Sequence, residues 1–171
     1  RAPDSEAHTP EGRRACHEGS GDSWAVLISH HKDFTPVCTT ELGYMAKLCP
    51  EFERRGVKVI GLSVDATTNH QKWADDIEET QGARPDYPII GDSDFNVTKL
   101  YGMRPASTPG DAKTRTPADN QTVRTVFAIG PENCVKPSLT YPTSKGPTFA
   151  ECTRGTDSPQ SPAQPRLHTP V

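Results

Sequence analysis

A central β-sheet with helices on both faces, an α/β fold, is the class this chain predicts. Three observations predict it. Short apolar runs of strand length alternate with longer segments whose apolar residues recur at helical spacing. The alternation continues from Trp24 to Gly102. Two further apolar stretches, Val123–Gly130 and Val135–Tyr141, flank the turn-forming Pro131-Glu132-Asn133 and read as an antiparallel hairpin. Strands alternating with helices of this length imply βαβ units in a covered sheet.

Residues 1–21 are polar and broken by Pro3, Pro10, Gly12 and Gly19, so loose packing is expected there. Trp24-Ala25-Val26-Leu27-Ile28 then reads as a buried strand, 24–29. Val37, Leu42, Met45, Leu48, Cys49 and Phe52 fall at helical spacing and predict a helix over 36–54, opened by Pro36 and stopped by Gly56. A strand over 57–64 and a helix over 67–80 follow, the latter turning Trp73 and Ile77 inward at i, i+4 spacing. A short strand at 87–91 precedes a helix near 94–101. Pro105, Pro109, Gly110 and Pro117 make 103–121 a long loop. Beyond Tyr141, Pro147, Gly155, Pro159, Pro162 and Pro165 rule out a long helix, and 143–171 is expected to be irregular.

With 171 residues the chain suits a single domain, 1–171. Hydrophobic residues make up only 32%, which implies a thin core, and many of the 17 prolines lie in the second half. The net charge of −3, with both signs mixed along the chain, provides no basic stripe for nucleic acid and no polybasic membrane patch. No apolar run reaches the ~20 residues of a membrane span, and no signal peptide opens the chain. Five cysteines, at 16, 38, 49, 134 and 152, form no CxxC pair and no metal-like spacing. That disfavours a dithiol centre and a bound metal, and it suits a reducing, cytoplasmic location.

Cys38 lies where a strand hands over to a helix, in Ser29-His30-His31-Lys32-Asp33-Phe34-Thr35-Pro36-Val37-Cys38-Thr39-Thr40-Glu41-Leu42-Gly43. The first helical turn leaves backbone N–H groups unpaired and carries the positive end of the macrodipole, which favours a thiolate. Thr35 either caps this helix or hydrogen-bonds a reacting group. A lone cysteine is as often a small buried apolar residue, and spacing alone leaves both readings open.

The segment from His30 to Gly43 resembles the active-site stretch of the peroxiredoxins, of the one-cysteine, peroxiredoxin-6 type. The likeness extends to Gly21-Asp22-Ser23-Trp24, Val59–Asp65, His70 with Trp73, Tyr87-Pro88-Ile89-Ile90, Val123–Phe127, Gly130-Pro131, Tyr141-Pro142, and Arg166 with Thr169-Pro170-Val171. The resemblance implies a thioredoxin-like fold with a central mixed sheet. It implies a peroxidase in which Cys38 attacks a hydroperoxide and becomes a sulfenic acid, Thr35 orders the peroxide, and Arg124 supplies a fixed cation. It further implies that His30 lies near the cysteine and that Glu41 orients Arg124. His31 stands where the family has a proline shielding the pocket, which puts the pocket's shape in question.

No bound cofactor is implied. No cysteine has the context of a two-cysteine resolving partner; Cys134 and Cys152 read as structural, with Cys152 as the alternative resolving thiol, so the reductant is expected to be an external thiol, by resemblance glutathione delivered with a glutathione transferase. Homodimerisation through the 135–141 strand is also implied, although Pro137 interrupts that edge. Family members usually continue beyond the position of Val171 into a C-terminal arm.

Two other readings stand beside the peroxidase. The peroxiredoxin-6 type is credited with a Ca²⁺-independent phospholipase A2 activity. The corresponding serine, histidine and acid here are Ser23, His17 and Glu132, with glutamate in place of aspartate. The bland alternative puts Ser23 at a strand start and His17 on a loose surface. A non-catalytic, redox-sensing module is the third reading.

Overall fold

The computed structural model describes residues 1–4, 21–30, 33–65, 67–103 and 123–141 in full, and 6–9 and 12–15 by their backbone. Its strands are β1 (Glu6–Thr9), β2 (Gly12–Ala15), β3 (Trp24–Ser29), β4 (Val57–Ser63), β5 (Ile89–Gly91), β6 (Arg124–Ile129) and β7 (Val135–Tyr141). Its helices are α1 (Pro36–Arg54), α2 (Thr67–Gln81) and α3 (Asn96–Leu100). The strands form one mixed sheet in the order β2-β1-β5-β4-β3-β6-β7. β3, β4 and β5 run parallel, while β6 lies antiparallel to β3 and β7 antiparallel to β6.

The apolar run of β3 forms a strand because both of its faces are covered. Ala25 and Leu27 pack on one side with Leu62, Ile90, Ile129, Met103 and Val97 of α3. Val26 and Ile28 pack on the other with Val59, Val126, Met45 and Phe52, the last two from α1. α2 lies on this second side, its Trp73 and Ile77 packed with Cys38, Leu42 and Ile89. α1 ends where expected, with Gly56 at φ +66° supplying the left-handed residue past its last turn.

The expected elements from 24 to 141 are present, with β5 and α3 shorter than the spacing indicates. The start of the chain differs from its polar reading. β1 and β2 pair as a hairpin, and β1 adds to the sheet beside β5 through His8 and Gly91. Ala2 is buried, its N–H bonded to the Asn133 carbonyl at 2.7 Å. Backbone pairing of this kind leaves no hydrophobic pattern to read. The long loop and the irregular C-terminal segment fall mainly on 104–122 and 142–171, outside the described residues.

The parallel strands bring the segments after β3 and β4 to one end of the sheet, where open α/β sheets place their sites. β6 begins at that same end. In its register with β3, Leu27 faces Phe127 and Ile28 faces Val126, so two further steps each way set His30 against Arg124. Both share the face of Ile28 and Val126, beneath α1.

Candidate active site

Cys38 stands in the first turn of α1. The turn is entered through Phe34, at φ +58°, and Thr35, extended at φ −92° and ψ 140°; Pro36 occupies the first helical position. The first ladder bond runs from the Thr39 N–H to the Thr35 carbonyl at 2.9 Å, so the Val37 and Cys38 N–H groups precede it. Thr35 makes no side-chain cap hydrogen bond at this turn. The Cys38 side chain is fully buried.

Arg124 reaches Cys38 from β6. Its Nη2 donates to Cys38 Sγ at 3.2 Å and its Nη1 to Glu41 Oε1 at 2.7 Å. Glu41 lies three residues after Cys38, so the two side chains rise from one face of α1 and share the guanidinium. Burial pushes the Glu41 carboxyl above its ordinary value, and Arg124 pulls in the opposite direction. Ser29 fixes the strand that carries Arg124. Its hydroxyl donates to Val123 O at 2.6 Å and accepts the Thr125 N–H at 2.9 Å, gripping the chain on both sides of residue 124.

A second cluster adjoins the first. Asp33 Oδ1 meets His30 Nε2 at 2.8 Å and Asp33 Oδ2 meets His70 Nδ1 at 2.6 Å, with all three residues buried. Burial raises the Asp33 pKa, but the two histidine hydrogen bonds outweigh it and hold the carboxyl down at about 2. Burial dominates at His30 and pulls the imidazole below its ordinary value, against the upward effect of Asp33. The His30 ring packs on Trp73 with centroids 4.9 Å apart, and Trp73 Nε1 donates to Thr39 Oγ1 at 2.9 Å. The cluster is thereby tied to the turn that holds Cys38.

His30, Asp33 and His70 are also residue types that hold metals, with one donor atom from each within 4.8 Å of the others. In this structure His30 and His70 are each hydrogen-bonded to the Asp33 carboxylate. Spacing along the chain carried no sign of this set, because His70 arrives from α2. Asp33 and His70 are the residues that sequence reasoning left without a role; the only local signal was the i, i+3 pair His30 and Asp33.

The hydrolase set gathers less. Ser23 is half-buried just ahead of β3, and Glu132 is exposed in the β6–β7 turn, ion-paired with Lys136. Both lie at the end of the sheet opposite Cys38. His17 and His31 are outside the described residues, as are Cys16 and Cys152, whereas Cys49 is buried and Cys134 half-buried.

A buried cysteine at a helix start, hydrogen-bonded by an arginine that a carboxylate orients, defines a thiol-based redox site on an α/β scaffold. The sequence profile of the AhpC/TSA family matches residues 1–138. A 1-Cys peroxiredoxin of Dictyostelium discoideum is 44% identical over 170 residues, covering 99% of this chain and 66% of that protein. Peroxiredoxin-6 of Rattus norvegicus is 42% identical over 174 residues, covering 99% and 75%. Among solved structures, a peroxiredoxin 6 mutant of Arenicola marina superposes with a TM-score of 0.82 at 40% identity, over 93% of this chain and 71% of that one. A yeast mitochondrial 1-Cys peroxiredoxin, whose thiol is resolved through glutathione/thioredoxin systems, superposes with a TM-score of 0.84 at 42% identity, over 93% and 74%. The chain belongs to the AhpC/TSA family, as a peroxiredoxin of the one-cysteine type with the thioredoxin-like fold. It is a thiol-dependent peroxidase, and the comparisons favour neither the hydrolase nor the non-catalytic reading.

Proposed function

We propose that Cys38 reduces hydrogen peroxide and organic or phospholipid hydroperoxides, with His30 carrying the proton. The thiol proton passes to neutral His30 and the sulfur attacks the terminal peroxide oxygen. An S–O bond forms, the O–O bond breaks, and its electron pair leaves on the distal oxygen. That oxygen takes the proton back from His30, so that thiol and hydroperoxide become sulfenic acid and water or alcohol. Arg124 holds the thiolate and the developing oxyanion, Thr35 orders the peroxide, and Glu41 keeps the guanidinium in place.

The 3.2 Å contact from Arg124 to Cys38, with Glu41 on the other arm of the guanidinium, is the observation that carries this reading. A fixed cation matters here because it acts in a buried site, where charge interactions are strong. The sulfur is 0% exposed, which suits a small oxidant and requires the first turn of α1 to open before a bulkier thiol arrives.

The yeast relative supports an external thiol as reductant, and glutathione fits that role: one equivalent displaces water from the sulfenic acid and a second releases the thiol. We place the catalytic unit in a single domain spanning 1–171 that works in the cytoplasm as a homodimer paired along β7, with a glutathione transferase delivering the reductant. Among the described residues no helix is long and apolar enough to cross a membrane.

The test is a single turnover. Reduced protein is mixed with one equivalent of hydrogen peroxide, trapped with a sulfenic-acid reagent and mapped by peptide mass spectrometry. Rapid labelling confined to Cys38, reversed by glutathione, is the expected result. Slow labelling spread over Cys49 and Cys134 would overturn it.

A further inference from the structure

We propose that Asp33 and His70 are positioning residues for His30: together they fix which of its nitrogens bears the proton, and so which one is offered to the Cys38 reaction. The inference rests on the proton role given to His30 above.

A carboxylate only accepts hydrogen bonds, so each imidazole nitrogen that meets Asp33 must carry a proton. His30 is then protonated on Nε2, 2.8 Å from Asp33 Oδ1, and His70 on Nδ1, 2.6 Å from Asp33 Oδ2. A neutral His30 in this tautomer has its lone pair on Nδ1, the atom that must serve as base. Were the tautomer reversed, two lone pairs would meet across 2.8 Å in a buried site, an arrangement as costly as a buried polar group with no partner.

The surroundings hold this arrangement from every side. Asp33 is anchored by its own N–H, which donates to Asp65 Oδ2 at 2.8 Å beyond β4. The His30 N–H donates to Leu62 O at 3.0 Å, and the ring lies against Trp73 and edge-on to His70. Among the described residues, the titratable and charged groups around His30 include Asp33 from its own loop, Asp65 after β4, His70 from α2, and Arg124 opposite it on β6. His70 Nε2 is buried and has no hydrogen-bond partner among the described residues. His70 therefore has one polar attachment there, to Asp33.

The function of His70 follows from sharing. One carboxylate divided between two N–H donors attracts the second proton of His30 less strongly than one devoted to His30 alone. Removing the His70 donor therefore strengthens the hold of Asp33 on His30, raises its proton affinity and depletes the neutral base on the acid side.

The test compares three variants in the full chain. His70→Leu removes the donor; His70→Asn places an amide N–H where Nδ1 was; His30→Gln removes the base. Stopped-flow rates of Cys38 oxidation by hydrogen peroxide are recorded from pH 5 to 8. In His70→Leu the acid limb is expected to move to higher pH by about one unit, with a loss that deepens toward about tenfold down that limb, while His70→Asn stays within about twofold of wild type. Nitrogen-15 imidazole spectra of the unaltered protein are expected to show His30 as the Nε2–H form.

Finding the Nδ1–H form in those spectra overturns the proposal even if the leucine variant fails to fold. So does a wild-type pH profile in His70→Leu when His30→Gln is impaired. A wild-type rate in His30→Gln overturns the proton role of His30 itself, and this inference with it.

Discussion

Cys38 and Cys49 lie on one face of α1, about three helical turns apart, and both are buried. Their surroundings make them opposites. Cys38 has the helix N-terminus and the Arg124 guanidinium; Cys49, deep in the helix, has burial first and then the carboxylates of Asp86 and Glu53, which push its thiol up to about 12. Burial and a place on the helix are common to both. The sign of the nearest fixed charge separates them.

The largest effect should come from exchanging the sulfurs for oxygen. Cys38→Ser is expected to lower peroxide consumption by more than about 10³-fold, and Cys49→Ser to leave it within about twofold. Substantial activity in Cys38→Ser would erase the contrast. Arg124→Met, which keeps the bulk and removes the charge, should slow oxidation of Cys38 by about 10²–10³-fold and leave the labelling of Cys49 unchanged. The same variant strips half-buried Glu41 of its partner, so urea unfolding should show a loss of about 1–3 kcal/mol.

Acid separates the two neighbourhoods next. His30 is held below its ordinary pKa, so the unfolded chain binds its proton more readily and stability declines as pH falls below about 6.5. Asp33, at about 2 in the fold, contributes stability that is complete above about pH 4 and lost as pH falls from there toward 2, about 2 kcal/mol in all. Urea midpoints against pH should show both declines, and Asp33→Asn should remove the second. Cys49 behaves in the reverse sense. Its raised pKa adds stability that is complete below about pH 9 and fades as pH climbs toward 12.

The smallest effect sharpens the same comparison. Asp86→Asn takes one acid from beside Cys49 but leaves its burial, the larger cause, so alkylation of Cys49 at pH 9 should quicken by only about two- to fivefold. A rise to the reactivity of Cys38 would mean that charge outweighs burial at that site.

How much of this was legible in advance follows the distance over which each feature is encoded. β3, α1, β4 and α2 came out nearly at their observed limits, because hydrophobic period, Pro36 and Gly56 are local signals. The place of Cys38 at a helix start is local for the same reason, and so is Glu41, one turn away. Arg124 was reachable only by resemblance, since nothing about an arginine opening a strand marks it as buried. The β1–β2 hairpin was not legible in the residues of 1–21 themselves, because the backbone hydrogen bonds that pair it have no side-chain signature.

The chain's local order therefore settled an α/β alternation with a cysteine at one strand-to-helix junction, because period, proline and glycine act within a few residues. The chemistry of that cysteine was decided by packing. Antiparallel β6 carries Arg124 across 86 positions to the sulfur, and α2 carries His70 across 37 positions to Asp33. Whether a thiol meets a guanidinium or a carboxylate depends on which strands lie side by side, and no pattern within a single segment records that.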